Sequence, residues 1–176
     1  VGASRTAVAE RGNSNVYWDF VHKIMDLARQ HNFKPMFWAD MWLKASKAER
    51  SLPDRDVISL VWGYEPSIPF GEMCNELIAY EREVWVCPGT SSWKSITGRT
   101  NERRANSLEA AVQGLNSGAK GYLLTEWGDE GHRQQFPISL FALAEAAQSA
   151  WSASLADQKC KAVSLHLFGD RKNLAI

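Results

Sequence analysis

Four short apolar segments, 35–42, 57–64, 84–87 and 121–127, alternate with stretches whose apolar residues recur at helical spacing. This alternation constrains the fold more than any other feature. Strand–helix–strand units call for a parallel sheet with crossover helices. The segment VISLVWGY, 57–64, is nearly continuous in apolar residues rather than alternating. Such runs belong to strands covered on both faces, as in parallel sheets. Right-handed crossovers then bring the strand C-terminal ends to one side. The expectation is an α/β chain, with residues 1–176 in a single domain.

The element boundaries follow from local signals. Residues 1–14 read as a strand-like Val-Gly-Ala and a polar loop. Asn13-Ser14-Asn15 offers caps for a helix over 16–31, with Val16, Phe20, Ile24, Leu27 and Ala28 on its apolar side. PMFWADMW, 35–42, reads as a buried strand entering a loop, and Pro53-Asp54 as a turn. A helix over 71–81 presents Met73, Leu77, Ile78 and Tyr80. Strand 84–87 stops at Pro88-Gly89, and a hydroxyl-rich loop runs to residue 100. A helix over 101–116 presents Leu108, Ala111, Val112 and Leu115, with Gly118 just past its end. Pro137 opens a helix over 137–152, a last helix covers 156–167, and the tail is a loop.

Composition removes several classes of function. Lys plus Arg and Asp plus Glu both number 20, so the formal net charge is zero. Neither a nucleic-acid surface nor a polybasic membrane patch is expected. No apolar run approaches the length of a membrane-spanning helix. Cys74, Cys87 and Cys160 are widely spaced and read as structural thiols. His22, His31, His132 and His166 form no ligand pair, so no metal is expected. There is no G-x-S-x-G elbow and no phosphate or dinucleotide loop, so no cofactor is expected. Arg99, Arg103 and Arg104 read as a solvated face or as loop anchors.

Tryptophan is abundant, with eight residues in 176. Three of the strands end on an aromatic followed by an acid: Trp38-Ala39-Asp40, Trp62-Gly63-Tyr64-Glu65 and Trp127-Gly128-Asp129-Glu130. The loop after the remaining strand carries Ser91, Ser92 and Trp93. In a parallel sheet these ends converge. An indole face is a flat apolar wall, and a carboxylate accepts hydroxyl hydrogen bonds. A pyranose offers C–H patches and a rim of hydroxyls, so the pattern points to carbohydrate. The alternatives are tryptophans in the core and acids that cap the following helices.

The stretches KPMFWADMW, VCPGTSSWKSITGRT and GYLLTEWGDEGHRQQFPIS resemble glycoside hydrolase family 20, the beta-N-acetylhexosaminidases and their relatives. The resemblance covers residues 1 to about 165 and implies a partial (β/α)8 TIM barrel, roughly strands 4/5 to 8 with their helices. In that family the substrate's acetamido oxygen attacks the anomeric carbon, an Asp stabilises the resulting charge, and the adjacent Glu protonates the leaving oxygen. The pair stands in a segment like G-A-D-E-T. Here the matching segment is Gly2-Ala3-Ser4-Arg5-Thr6, which places Ser4 and Arg5 in the Asp and Glu slots. Serine carries no charge, and arginine gives up no proton near neutral pH.

The resemblance therefore implies a glycosidase relative without its general acid. The complete barrel would hydrolyse terminal beta-linked N-acetylhexosamine or related sugars, and this chain alone would be inactive. Trp38, Asp40, Trp62, Glu65, Trp93, Trp127 and Asp129 are the expected substrate-binding residues. The family's seventh-strand Tyr is replaced here by the run Trp85-Val86-Cys87. A full barrel needs eight strands and about 250 residues. The expected partners are thus a carbohydrate and either the missing barrel half or a second copy. The alternative functions are a carbohydrate-binding pseudoenzyme and a purely structural barrel fragment.

Overall fold

The computed structural model describes residues 4–46, 49, 54–93, 95–154 and 160–172, the side chains of Cys160 and Lys161 aside. Its elements in chain order are α1 Arg5–Arg11, α2 Asn13–Gln30, β1 Met36–Trp38, α3 Asp40–Leu43, β2 Ile58–Trp62, α4 Phe70–Ile78, β3 Val84–Cys87, α5 Thr100–Ser117, β4 Gly121–Tyr122, α6 Phe136–Ser152 and α7 Cys160–Phe168. The strands form one sheet in the order β1-β2-β3-β4, and every neighbouring pair is parallel. This is a parallel α/β sheet flanked by helices, consistent with a partial TIM-barrel-like architecture.

Sequential order has a consequence for the two faces. Crossovers of one hand that always advance to the next strand keep their helices on the same face. The side chains follow that rule. On one face, Val61, Val84 and Val86 pack with Trp18, Trp42, Phe70, Cys74, Leu77 and Ala110 from the helical layer. The other face carries a separate apolar cluster of Ile58, Leu60 and Cys87, with Trp38, Trp62, Trp85 and Leu123 packed against it, all from strands or strand ends. The register aligns Trp38, Leu60, Trp85 and Gly121 in one row across this second face. A Cβ on Gly121 would lie 2.1 Å from Cδ2 of Trp85, so the indole spreads over β4 only because glycine is there.

Several local expectations are corrected. Residues 5–11, expected as loop, form α1, whose Arg-Thr-Ala-Val-Ala-Glu-Arg is rich in helix formers. Gly12, at φ 80°, breaks it from α2. The segment 35–42 gives only a three-residue strand and then α3, which buries Trp42 completely. β4 is two residues long, and its extension is a single parallel bridge between Gly89 and Thr125. Residues 1–3, Pro53 and 155–159 lie outside the described residues, so the strand-like start, the turn at 53 and the start of the last helix are not described.

The expected apolar helix faces also shift. In α2 the buried residues are Trp18 and Met25, whereas Phe20, Ile24 and Leu27 are exposed. In α4, Phe70, Cys74 and Leu77 are buried, Met73 and Ile78 pack at the margin, and Tyr80 stays partly exposed against the edge of Trp42. In α5 the buried side is Arg103, Asn106, Ser107, Ala110, Ala111 and Gly114, and Leu115 is 67% exposed. Small residues won this face because the helix lies close to the sheet. A Cβ on Gly114 would stand 2.8 Å from Cγ1 of Val86. Gly114→Ala should therefore destabilise the fold by about 1–2 kcal/mol through overpacking against a stiff β-branched side chain. Helix propensity alone would predict a gain of about 1 kcal/mol. Leu115→Gln should stay within about 0.5 kcal/mol of the parent. Urea midpoints of the two variants decide between close packing and simple apolar periodicity.

Candidate functional site

The C-terminal ends of the four strands open into one hollow of about 580 Å3. Trp38, Asp40, Trp62, Gly63, Tyr64, Glu65, Ile68, Trp93, Trp127 and Asp129 line it. All seven residues singled out from the sequence meet there. Tyr64 was missed as a lining residue, although it belongs to the same Trp-Gly-Tyr-Glu strand end.

Tyr64 is the hub of the aromatic wall. Its ring centroid is 5.2 Å from Trp62, 5.1 Å from Trp93 and 6.5 Å from Trp127. Trp127 in turn lies 6.0 Å from Trp38, closing an arc of five rings. Nε1 of Trp127 donates to the Tyr64 hydroxyl at 2.9 Å. Burial pushes the Tyr64 pKa up despite hydrogen bonds to Thr125 and Trp127, so the ring stays a neutral phenol. Close approach needs glycine beneath it. A Cβ on Gly89 would meet Cδ1 of Tyr64 at 2.9 Å.

The three carboxylates are not equivalent. Glu65 is held bidentately by Arg99, at 2.7 and 2.5 Å, which keeps its carboxyl below the usual range. Asp40 accepts from Nε1 of Trp62 at 3.3 Å and faces the Lys44 ammonium at 3.4 Å. Asp129 is exposed and makes no hydrogen bond or ion pair among the described residues, although its charge reaches Tyr64. The oxygens of Asp129 and the remaining capacity of Asp40 are therefore open to hydroxyl donors. Glu65 is unsuited to act as a general acid, because such a group needs a pKa raised toward the operating pH.

Two polar side chains behind the hollow hold its loops. Asn106 of α5, fully buried, donates from Nδ2 to the carbonyls of Gly63 at 3.0 Å and Glu65 at 2.9 Å. Its Oδ1 accepts from the Gly89 amide at 3.2 Å, so one side chain ties the loops after β2 and β3. Glu126 accepts from Thr90, from His132 at 2.7 Å and from Ser139 at 2.8 Å. Ser139 and Glu126 both meet Nε2 of His132, so the ring does not bridge them and the trio is no serine relay. Neither Asn106 nor Glu126 carried a sequence signal, since each has an ordinary polar identity inside a helix or a strand end.

Other expectations resolve outside the hollow. Ser4 and Arg5 stand exposed at the start of α1, and Ser4 borders a different depression with Arg11, Tyr17 and Lys23. Neither residue lines the aromatic hollow. Cys74 and Cys87 are free and buried, which pushes their thiols up to about 11 and about 12. The side chain of Cys160 is outside the description. Arg103 is no part of a solvated face: with Arg104 it binds Glu145, joining α5 to α6 across a buried pair. Among the described residues no cluster of three or more His, Cys, Asp or Glu could hold a metal ion, and no helix is long and apolar enough to cross a membrane.

Comparison with protein-family models finds no match to this chain, and comparison with curated proteins finds none either.

Two outcomes follow from this geometry. Asn106→Ala leaves the buried Gly63 carbonyl, the partly buried Glu65 carbonyl and the Gly89 amide without their partner, and should cost about 2–3 kcal/mol in urea unfolding. It should also shift tryptophan emission to the red as the loops loosen. The Glu126–His132 pair should give a pH window. Hydrogen bonds overcome burial and lower the Glu126 pKa below its ordinary 4.5, so its contribution is full above that value and fades as pH falls through the lowered one. The Glu126 carboxylate raises the His132 pKa above 6.5, so that contribution is full below 6.5 and fades as pH rises through the raised one. His132→Gln should flatten the alkaline side of the stability profile, while Thr90 and Ser139 go on lowering the Glu126 pKa and so keep most of the acid side.

Proposed function

We propose that this chain forms the sugar-binding mouth of a glycoside hydrolase family 20-like barrel. The reading takes β1 to β4 as consecutive late strands of a (β/α)8 sheet. Their parallel, sequential order and a second apolar face whose cluster is drawn, among the described residues, from strands and strand ends support it. In a closed barrel that second face would be the interior, which is filled by bulky side chains.

The observation that carries the functional reading is the convergence of five aromatic rings and the exposed carboxylate of Asp129 on one hollow of about 580 Å3. That volume is in the range of small-molecule sites, roughly 300–1,000 Å3. The indoles provide C–H contact surface, and Asp40 and Asp129 accept from sugar hydroxyls. The substrate class is a terminal beta-linked N-acetylhexosamine or a related glycoside. The complete barrel would carry out the hydrolysis. With Ser4 and Arg5 in place of the acidic pair, and both away from the hollow, this chain by itself binds without turning over.

Titration with N-acetylglucosamine tests the reading through intrinsic tryptophan fluorescence. A saturable change is expected, with affinity reduced about tenfold or more by Trp127→Ala and by Asp129→Asn, the loss of one stacking surface or one charged acceptor. No release of chromophore from an aryl N-acetylglucosaminide is expected. Turnover abolished by Asp129→Ala would overturn the binding-only assignment. Absence of any saturable response to hexosamines would overturn the carbohydrate reading.

A further inference from the structure

Glu126 does not line the hollow, yet it stands between Thr125, which bridges to Gly89, and Trp127, which does line it. Its carboxylate collects donors from three separate segments. Thr90, completely buried in the loop after β3, gives its hydroxyl to Oε2. His132, beyond the hollow-lining residues of the following loop, meets Oε1 at 2.7 Å. Ser139, on the first turns of α6, donates to Oε1 at 2.8 Å and is itself held by Gln134 at 2.8 Å. A carboxylate is acceptor-only and has room for all of these donors. An amide of the same size loses one accepting oxygen. The loops are joined a second time where Ser92 Oγ donates to the Trp127 carbonyl at 2.8 Å.

We propose that Glu126 is the positioning residue of the hollow: its carboxylate fixes the 127–132 loop, and with it Trp127 and Asp129, against the loop that carries Trp93. Glu126 reaches no ligand. It sets the distance between the last two walls by holding Thr90 on one side and His132 and Ser139 on the other. The neighbouring charges do not compete for it. Arg103 feels the Glu126 charge but is bound by Glu145, and Asp129 faces the hollow.

The inference rests on the sugar-binding reading for its ligand arm alone. The test uses Glu126→Gln, which keeps the shape, and two variants that keep their donors, Thr90→Ser and His132→Gln. Amide hydrogen exchange is followed by residue, and N-acetylglucosamine affinity by fluorescence. Glu126→Gln should raise exchange in 127–132 about tenfold while β2 and β3 stay protected, and should weaken binding by a similar factor, the effect of losing a charge-assisted acceptor. Thr90→Ser and His132→Gln should stay within about twofold of the parent in both readouts. Unchanged exchange at 127–132 in Glu126→Gln overturns the inference. So does a rise spread evenly over the sheet, which marks a loss of global stability instead. A parent protein that binds no hexosamine overturns the sugar reading, and the exchange pattern then decides the role of Glu126 by itself.

Discussion

Backbone pairing between like-directed neighbours is the constraint on which the rest of this structure depends. Each strand joins the one before it in parallel, so every connection must travel back along the sheet before the next strand begins. The helices make that return journey. The strand exits are left together at one end, free to carry side chains that serve no backbone purpose. The aromatic hollow is a product of this arrangement. Trp38, Trp62, Trp93 and Trp127 are remote in sequence and become neighbours because four exits share one side of the sheet.

The same constraint divides the hydrophobic work. One face is sealed by the helical layer, with Trp42 and Phe70 completely buried. The opposite face is furnished by the strands themselves, with Trp85 laid across Gly121. Close packing of α5 against the first face needs Gly114 and Ala110 where larger apolar residues would have seemed natural. That closeness also brings Asn106 within reach of both neighbouring loops. A tight helix–sheet contact and a well-held mouth are thus one feature of packing seen from two sides.

Much of the fold was legible because parallel strands leave a strong trace. The runs at 58–62 and 84–87 are apolar with little alternation, and their positions were read within a residue or two. Six of the seven hollow residues were legible because an aromatic followed by an acid recurs at strand ends, and Trp93 because it stands in the loop after the remaining strand. Helix faces were read less well. Phe20, Ile24 and Leu27 have helical spacing, yet Trp18 and Met25 occupy the core. Spacing fixes which residues share a face and leaves open which face turns inward. α1 escaped notice because it buries nothing, so no apolar stripe marks it.

By itself the sequence determined the class of sheet, where the strands begin and the residue types gathered at the strand exits. These depend on local composition and on the few topologies that short strand–helix repeats allow. Only the tertiary structure decided how those residues are used. It committed Glu65 to Arg99, set Asp129 exposed at the rim of the hollow, placed Tyr64 among three indoles, and drew Glu126 and Asn106 behind the wall. Such assignments depend on distances of a few ångströms between segments dozens of residues apart. No local pattern encodes those distances, because packing of the whole sheet and its helices sets them.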